Sequence, residues 1–312
     1  MRGIPPPENR RPDREERPVS ASVGKAADIL RAFRPTVEVL SVRGLAERTG
    51  LPRSTVHHLC RALCETGLLE AVPHAGYRLG PLLLELGGLI IERTGLVAAV
   101  EGSTAALRRG PGQELHVGQL VEGWIVYLHR ESGPNRVAMV NRVGMRAPAF
   151  RSGCGKSALA VLDPVDADQR IRRLCRDEDL PLPDMTAVDE ELATIRSQGY
   201  CVCRTFQPGR TSVAAAIVGS DGQPVGGLSL AGPSSTFAPS RLADIGGAVG
   251  SAAHVASTRL QVAGGGPVGR PPATGGRAAA PARYVAGTAP SPPDPRRASE
   301  IAARIRSGVA GR

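Results

Sequence analysis

Residues 41–80 read SVRGLAERTG LPRSTVHHLC RALCETGLLE AVPHAGYRLG, and this stretch decides the fold of the N-terminal half. A first short helix is expected from Val42 to Thr49, ended by Gly50, since glycine takes the left-handed conformation at a helix C-terminus at least cost. Pro52 suits the first turn of a second helix, where its missing N–H and fixed φ cost nothing. In that helix Val56, Leu59, Cys60 and Leu63 recur at i, i+3, i+4 and i+7 and form one apolar stripe. At about 100° per residue, Ser54, His58 and Arg61 fall on the opposite face, with Arg53, Thr55 and His57 at its edges. Two helices joined through a glycine turn, the second showing basic and small polar groups outward, describe a helix-turn-helix. Leu68–Glu70, the turn His74-Ala75-Gly76 and Tyr77–Leu79 add a hairpin, the wing of a winged helix. The plainer alternative is a small helical module whose polar face is merely solvated.

Outward from this head, charge separates the chain into parts. The net charge is +10 over 312 residues. Residues 81–262 carry as many acids as bases, whereas 23–80 carry eight basic groups against five acids and 263–312 carry eight arginines against two acids. A polyanion would therefore be met by the head and the tail, not by the middle. Residues 1–19 are rich in proline and charge, with little to bury, and are expected to be a disordered arm, as is the basic tail 263–312 apart from a short helix at 297–306. No run has the length of a membrane span and the N-terminus is not signal-like, so a cytoplasmic protein without membrane contact is expected. The six cysteines show no disulfide framework.

The ordered chain is expected to begin with a helix from Ser20 to Arg34 that packs behind the reading helix. After the wing, Leu82, Leu83, Leu86, Leu89 and Ile90 give residues 81–96 a helix with a wide apolar face, which needs a partner in its own domain or in a second subunit. A further helix is expected to about Arg109. Then the period changes to that of strands at Glu114–Leu120, Trp124–Arg130, Val137–Val140, Thr211–Gly219 and Val225–Ala231, interleaved with helices at Lys156–Leu162, Asp189–Gln198 and Ser240–Leu260. This mixture indicates an α+β sandwich for residues 97–262.

Motifs for chemistry are few. Gly155-Lys156-Ser157 lacks the earlier glycine of a phosphate loop, because Phe150 stands five positions before Gly155. The backbone of Ser152–Gly155 still suits approach of a small anion at the start of a helix. Cys201 and Cys203, like Cys60 and Cys64, lack the spacing of a structural zinc site. No nucleophile–base pair stands out, and the acids at 177–179 and 189–191 read as solvated helix surface. Neither a metal nor a cofactor is expected, and the chain does not read as an enzyme.

Six stretches in order, LAERTGLPRSTVHHLCRAL, GYRLGPLLLELGG, RSGCGKSALAVL, GYCVC, SVAAAIV and GGLSLAGPSSTF, make the sequence similar to the IclR family of bacterial transcriptional regulators over roughly residues 20–260. The resemblance implies a winged helix-turn-helix at 20–80, a linker helix at 81–96 and a GAF-like α/β effector-binding domain at 97–262. It also implies homodimers or dimers of dimers on palindromic double-stranded operators, repressing or activating a metabolic operon. Arg53, Ser54, Thr55 and Arg61 then become DNA contacts, with His57 and His58 beside them and Arg78 reaching the backbone from the wing. His58 stands where the family usually has arginine. Effector positions carried over are Met139 and Ala147 as walls, Gly153 and Cys154 as an amide turn, and Cys203, Ser212, Ser229 and Ala231. Cys203 replaces a frequent acid, Ala231 a frequent serine, and the loop Cys203–Ser212 is about one residue short. An organic or aromatic acid is the implied effector, larger or more apolar than a two- or three-carbon acid. Alternatives are a small-molecule sensor with a degraded reading head, a winged helix used for protein contacts, or an enzyme built on the C-terminal domain.

Overall fold

A computed structural model describes residues 21–34, 38–104, 107, 110, 112–134, 143–204 and 206–263. The arm at 1–19, Ser20, the strand expected at Val137–Val140, the helix at 297–306 and the tail beyond 263 lie outside the described residues.

The head is built as its sequence directs. Helices α1 (Ala21–Arg31), α2 (Val42–Thr49) and α3 (Arg53–Glu65) precede a hairpin of β1 (Leu69–Val72) and β2 (Gly76–Leu79). Ser41 caps α2, its Oγ accepting from the Gly44 N–H at 3.1 Å. Gly50 ends it at φ 73°, the conformation that turns the chain into α3. One small core of Ile29, Phe33, Leu40, Leu45, Val56, Cys60, Leu63 and Leu69 holds the three helices and the hairpin together. A bridge between Leu40 and Tyr77 ties the wing to the segment before α2.

Helix α4 (Pro81–Thr94) starts against the wing, where the Leu82 N–H donates to Gly67 O at 3.2 Å. Gly95, at φ 62°, separates it from α5 (Leu96–Val100). The long helix expected to about Arg109 stops at Val100, because Glu101 leaves helical geometry and Gly102 turns at φ 78°.

The C-terminal part is one antiparallel six-stranded sheet with helices on both faces. Its strands are β3 (Glu114–Val121), β4 (Trp124–Ser132), β5 (Arg146–Pro148), β6 (Cys201–Cys203), β7 (Arg210–Val218) and β8 (Pro224–Pro233). They lie in the order β5-β4-β3-β8-β7-β6. On one face α5 and α9 (Leu242–Val262) pack against Leu115, Val117, Val213, Ile217 and Leu228. On the other, α6 (Gly153–Val161), α7 (Pro164–Asp177) and α8 (Met185–Gln198) pack against Leu120, Ile125, Cys201 and Ala214. Helix α7 is absent from the expectations above. Its signals are legible in hindsight: Asp163 caps it, Pro164 opens it, and Ala167, Ile171, Leu174 and Cys175 make its buried stripe. The three-residue strands β5 and β6 are too short to show a period.

Helix α6 sits closer to the sheet than a side chain allows. A methyl group on Gly227 would lie 2.7 Å from Cys154 O, while one on Gly155 would lie 2.2 Å from Ala149 O in the turn Ala149–Arg151 that leads into α6. By contrast, Gly247 in α9 has open space around its Cα. Gly227→Ala is expected to cost about 3 kcal/mol by overpacking. Gly247→Ala is expected to add about 0.5–1 kcal/mol through helix propensity. Chemical denaturation of both variants checks the contrast.

Candidate DNA-reading head and effector pocket

On α3 the side chains of Val56, Cys60 and Leu63 are buried, while Arg53, Ser54, His57, His58 and Arg61 are exposed and Thr55 is half-buried. Among the described residues Arg53 and Arg61 form no ion pair: Glu47 of α2 is engaged by Arg43 at 2.7 Å and feels the Arg53 charge only at longer range. The outward face of α3 therefore keeps its positive charge uncompensated by a close carboxylate among the described residues. The wing differs. Arg78 grips Glu70 on the neighbouring strand with two hydrogen bonds, 3.0 and 2.8 Å, and this holds the Glu70 carboxyl below its ordinary range. The charge that the sequence presents at Arg78 is thus matched within the hairpin.

The second feature is a small cavity, open to solvent, above the sheet beside the start of α6. Gly153, Cys203, Ser212, Ser229 and Ala231 line it, brought together by register: Cys203 faces Ser212 on β7, which faces Ala231 on β8, and Ser229 follows two residues before. Five lining residues were not singled out from sequence. Tyr127 comes from β4, where alternation gave a usable signal; Phe206, Gln207, Arg210 and Thr211 come from an irregular loop and the first residues of β7, which carry no period.

The side chains of two other expected positions lie off the wall. Ala147 is fully buried in β5. Cys154 is buried under α6, its Sγ 4.0 Å from His116 O, and burial pushes its thiol up to about 12. The cause is that α6 begins at Gly153 and not near Lys156, so Cys154 is already in the first turn, with its side chain toward the sheet. Met139 lies outside the described residues. Ser152 caps α6, its Oγ accepting from the Gly155 N–H at 3.1 Å. The N–H groups of Gly153 and Cys154 belong to the turn whose donors have no carbonyl one turn back. Lys156 points away from this turn to Glu191 on α8, 2.7 Å off and itself half-exposed, so it is no phosphate-loop lysine. Glu178 likewise pairs with Arg146, so the acids at 177–179 and 189–191 are in part structural. No cluster of three or more metal-ligating side chains occurs among the described residues.

Beneath the cavity runs a buried charged row. Glu114, fully buried, takes Arg130 Nη2 at 2.6 Å on one oxygen and His116 Nε2 at 3.3 Å on the other. Burial raises its carboxyl, but the hydrogen bonds from His116 and Arg130 outweigh it and hold the group at about 2. The unfolded carboxyl takes a proton near pH 4.5 and the folded one near 2, so the stabilisation is complete above about pH 5 and is lost as pH falls through that window. A loss on the order of 3 kcal/mol is expected between pH 5 and pH 2, and largely absent in Glu114→Gln, with urea titrations at several pH values as the check.

A basic winged reading head joined through a helix to a pocketed α+β domain defines a ligand-responsive DNA-binding regulator. Residues 22–73 match the IclR helix-turn-helix domain, and residues 89–258 match the bacterial transcriptional regulator IclR C-terminal domain. The chain belongs to the IclR family of transcriptional regulators, which are not enzymes. Among curated relatives, the regulator XynR of Escherichia coli is 27% identical over 217 residues, 68% of this chain and 86% of that protein. The glycerol operon regulatory protein of Streptomyces coelicolor is 29% identical over 217 residues, 68% of this chain and 84% of that protein. A putative IclR regulator from Silicibacter has the same fold, with a TM-score of 0.64 at 24% identity over 80% of this chain and 98% of that one. An IclR homologue from Microbacterium hydrocarbonoxydans, solved with 4-hydroxybenzoate, gives 0.63 at 22% identity over 77% and 99%. No helix among the described residues is long and apolar enough to cross a membrane.

Proposed function

We propose that this regulator reads a palindromic operator as a homodimer or dimer of dimers and releases or rearranges on it when an organic or aromatic acid enters the effector pocket. The observation that carries the proposal is the pairing of an uncompensated basic face on α3 with a cavity set at the N-terminus of α6. On the head, Arg53 and Arg61 supply charge to phosphates and base edges, and Ser54 and Thr55 supply hydroxyls to phosphate. His57 and His58 extend the same face. In the pocket, the first-turn N–H groups of α6 and the Ser212 hydroxyl suit a carboxylate, while Tyr127, Phe206 and Ala231 give apolar and aromatic walls. A pocket walled by Tyr127 and Phe206 suits an aromatic acid better than a two-carbon one. The Microbacterium relative, with its aromatic acid, supports that choice.

Helix α4 supports the dimer. Leu86 is 45% exposed, Leu89 64% and Ile90 48%, an apolar stripe at i, i+3 and i+4 that one subunit leaves in water. A second copy of α4 is the simplest cover, and it would place two reading heads for the two halves of a palindrome.

Enrichment of genomic fragments on the purified protein tests the reading; a shared palindrome is expected, and its absence at any salt concentration would sink it. On that site, Arg61→Ala is expected to weaken binding by about 1–3 kcal/mol if it reads a base, and to lower the salt dependence by about one charge if it meets phosphate. Either way its melting temperature stays unchanged. Glu70→Gln, which releases Arg78 from its partner on the wing, is expected to strengthen binding several-fold at low salt and to steepen the salt dependence, measured by fluorescence anisotropy on a labelled operator.

A further inference from the structure

Behind the pocket wall, His116 has a ring nitrogen that nothing in the protein uses. The side chain is 1% exposed, yet its Nδ1 has no hydrogen-bond partner. A buried polar atom left unpaired costs roughly 1–3 kcal/mol, so such an atom beside a cavity needs a reason. The location is specific. His116 stands directly opposite Ser229 in the β3–β8 register, and its ring meets Tyr127 edge-to-face at 5.8 Å. Ser229 and Tyr127 both line the cavity.

Chemistry fixes which way the ring is protonated. Glu114 is ionised, because His116 and Arg130 hold its carboxyl at about 2 against the upward push of burial. An ionised carboxylate only accepts hydrogen bonds, so the hydrogen between the two groups sits on Nε2. In the neutral ring Nδ1 is then a bare acceptor. The charge of Glu114 is already balanced by Arg130 at 2.6 Å, so no further cation is called for at this spot. Around the residue, Tyr127 from β4 meets the ring, Ser229 from β8 stands opposite it in register, and the Cys154 thiol from α6, kept neutral by burial, approaches its main-chain oxygen.

We propose that His116 Nδ1 is the second recognition point of the effector pocket, accepting a hydrogen bond from a hydroxyl of the effector while the carboxylate lies at the start of α6. Glu114 and Arg130 are positioning residues, holding the tautomer that leaves Nδ1 open. The effector class is thereby narrowed from an acid to a hydroxylated acid. This rests on the acid-binding reading above and adds a second polar contact to it. A site built to accept from a hydroxyl rejects the analogue that lacks it, since the acceptor is left buried and unpaired.

The test uses the full chain and three matched pairs of acids: benzoate and 4-hydroxybenzoate, phenylacetate and 4-hydroxyphenylacetate, butyrate and 4-hydroxybutyrate. Isothermal titration is expected to show at least one hydroxylated member binding about tenfold more tightly than its partner. His116→Gln, whose amide keeps an N–H for Glu114 but offers no acceptor at the Nδ1 position, is expected to erase that preference, bringing the two members of a pair to the same affinity. A wild-type measurement guards against a poorly folding variant: with 15N-labelled histidine, the acceptor-type Nδ1 resonance of His116 shifts with the hydroxylated acid and not with the plain one. If acids bind without a hydroxyl preference, if the preference survives His116→Gln, or if the Nδ1 resonance does not move, the role of His116 is overturned and the acid reading stands. If none of the six acids binds, the acid reading falls and the His116 proposal falls with it.

Discussion

The closeness of α6 to the sheet is the constraint on which the effector domain turns. Gly227 lets the main chain of β8 meet that of α6, Gly155 lets α6 meet the turn Ala149–Arg151 before it, and no side chain larger than hydrogen fits at either point. Because α6 is pressed down in this way, its first turn comes to rest on β7 and β8, and Gly153 stands within reach of Ser212 and Ala214. The cavity exists where the helix stops and the strands continue. Its donors are main-chain N–H groups of a helix start, a device that needs no charged side chain to favour an anion.

A second constraint is electrostatic. A glutamate with no exposure at all in the middle strand of a sheet would be intolerable unless both its oxygens were engaged. Arg130 and His116 do this from the neighbouring strand and from two residues along the same strand. One outcome is rigidity across β3 and β4 beneath the pocket; another is that the histidine ring has no freedom to turn. The head obeys a different economy. Its core is small, its outward face on α3 is charged and unpaired, and its wing neutralises Arg78 with Glu70. The difference between these two arginine environments separates a residue free to meet a polyanion from one that must first leave a partner.

The head was legible in the sequence because its signals are local. A capping serine, a glycine at a helix end, a proline at a helix start and a stripe of four apolar residues each act within a few positions of one another. The pocket was legible only in part. Gly153, Cys203, Ser212, Ser229 and Ala231 came from a family resemblance, and they meet through strand register; Phe206 and Arg210 were missed because nothing in their own neighbourhoods marks them, and Tyr127 was missed although the alternation of β4 gave a signal. Helix α7 was missed although its cap and stripe are present, and the helix expected to reach Arg109 ends early at a glycine turn.

What the sequence determined by itself is the order of parts: a basic reading helix, a wing, an apolar connecting helix and an α+β domain. Periodicity and capping act over one or two turns, so one chain's residues suffice to show them. What only the tertiary structure decided is which side chains share a space. Glu114, His116 and Arg130 read as an ordinary alternating strand pair until register and burial set them together beneath the cavity. Cys154 keeps its amide in the first turn of α6, but only the start of that helix at Gly153 shows that its side chain turns toward the sheet. Pairing across strands joins residues more than a hundred positions apart, such as His116 and Ser229, and no local pattern carries that information.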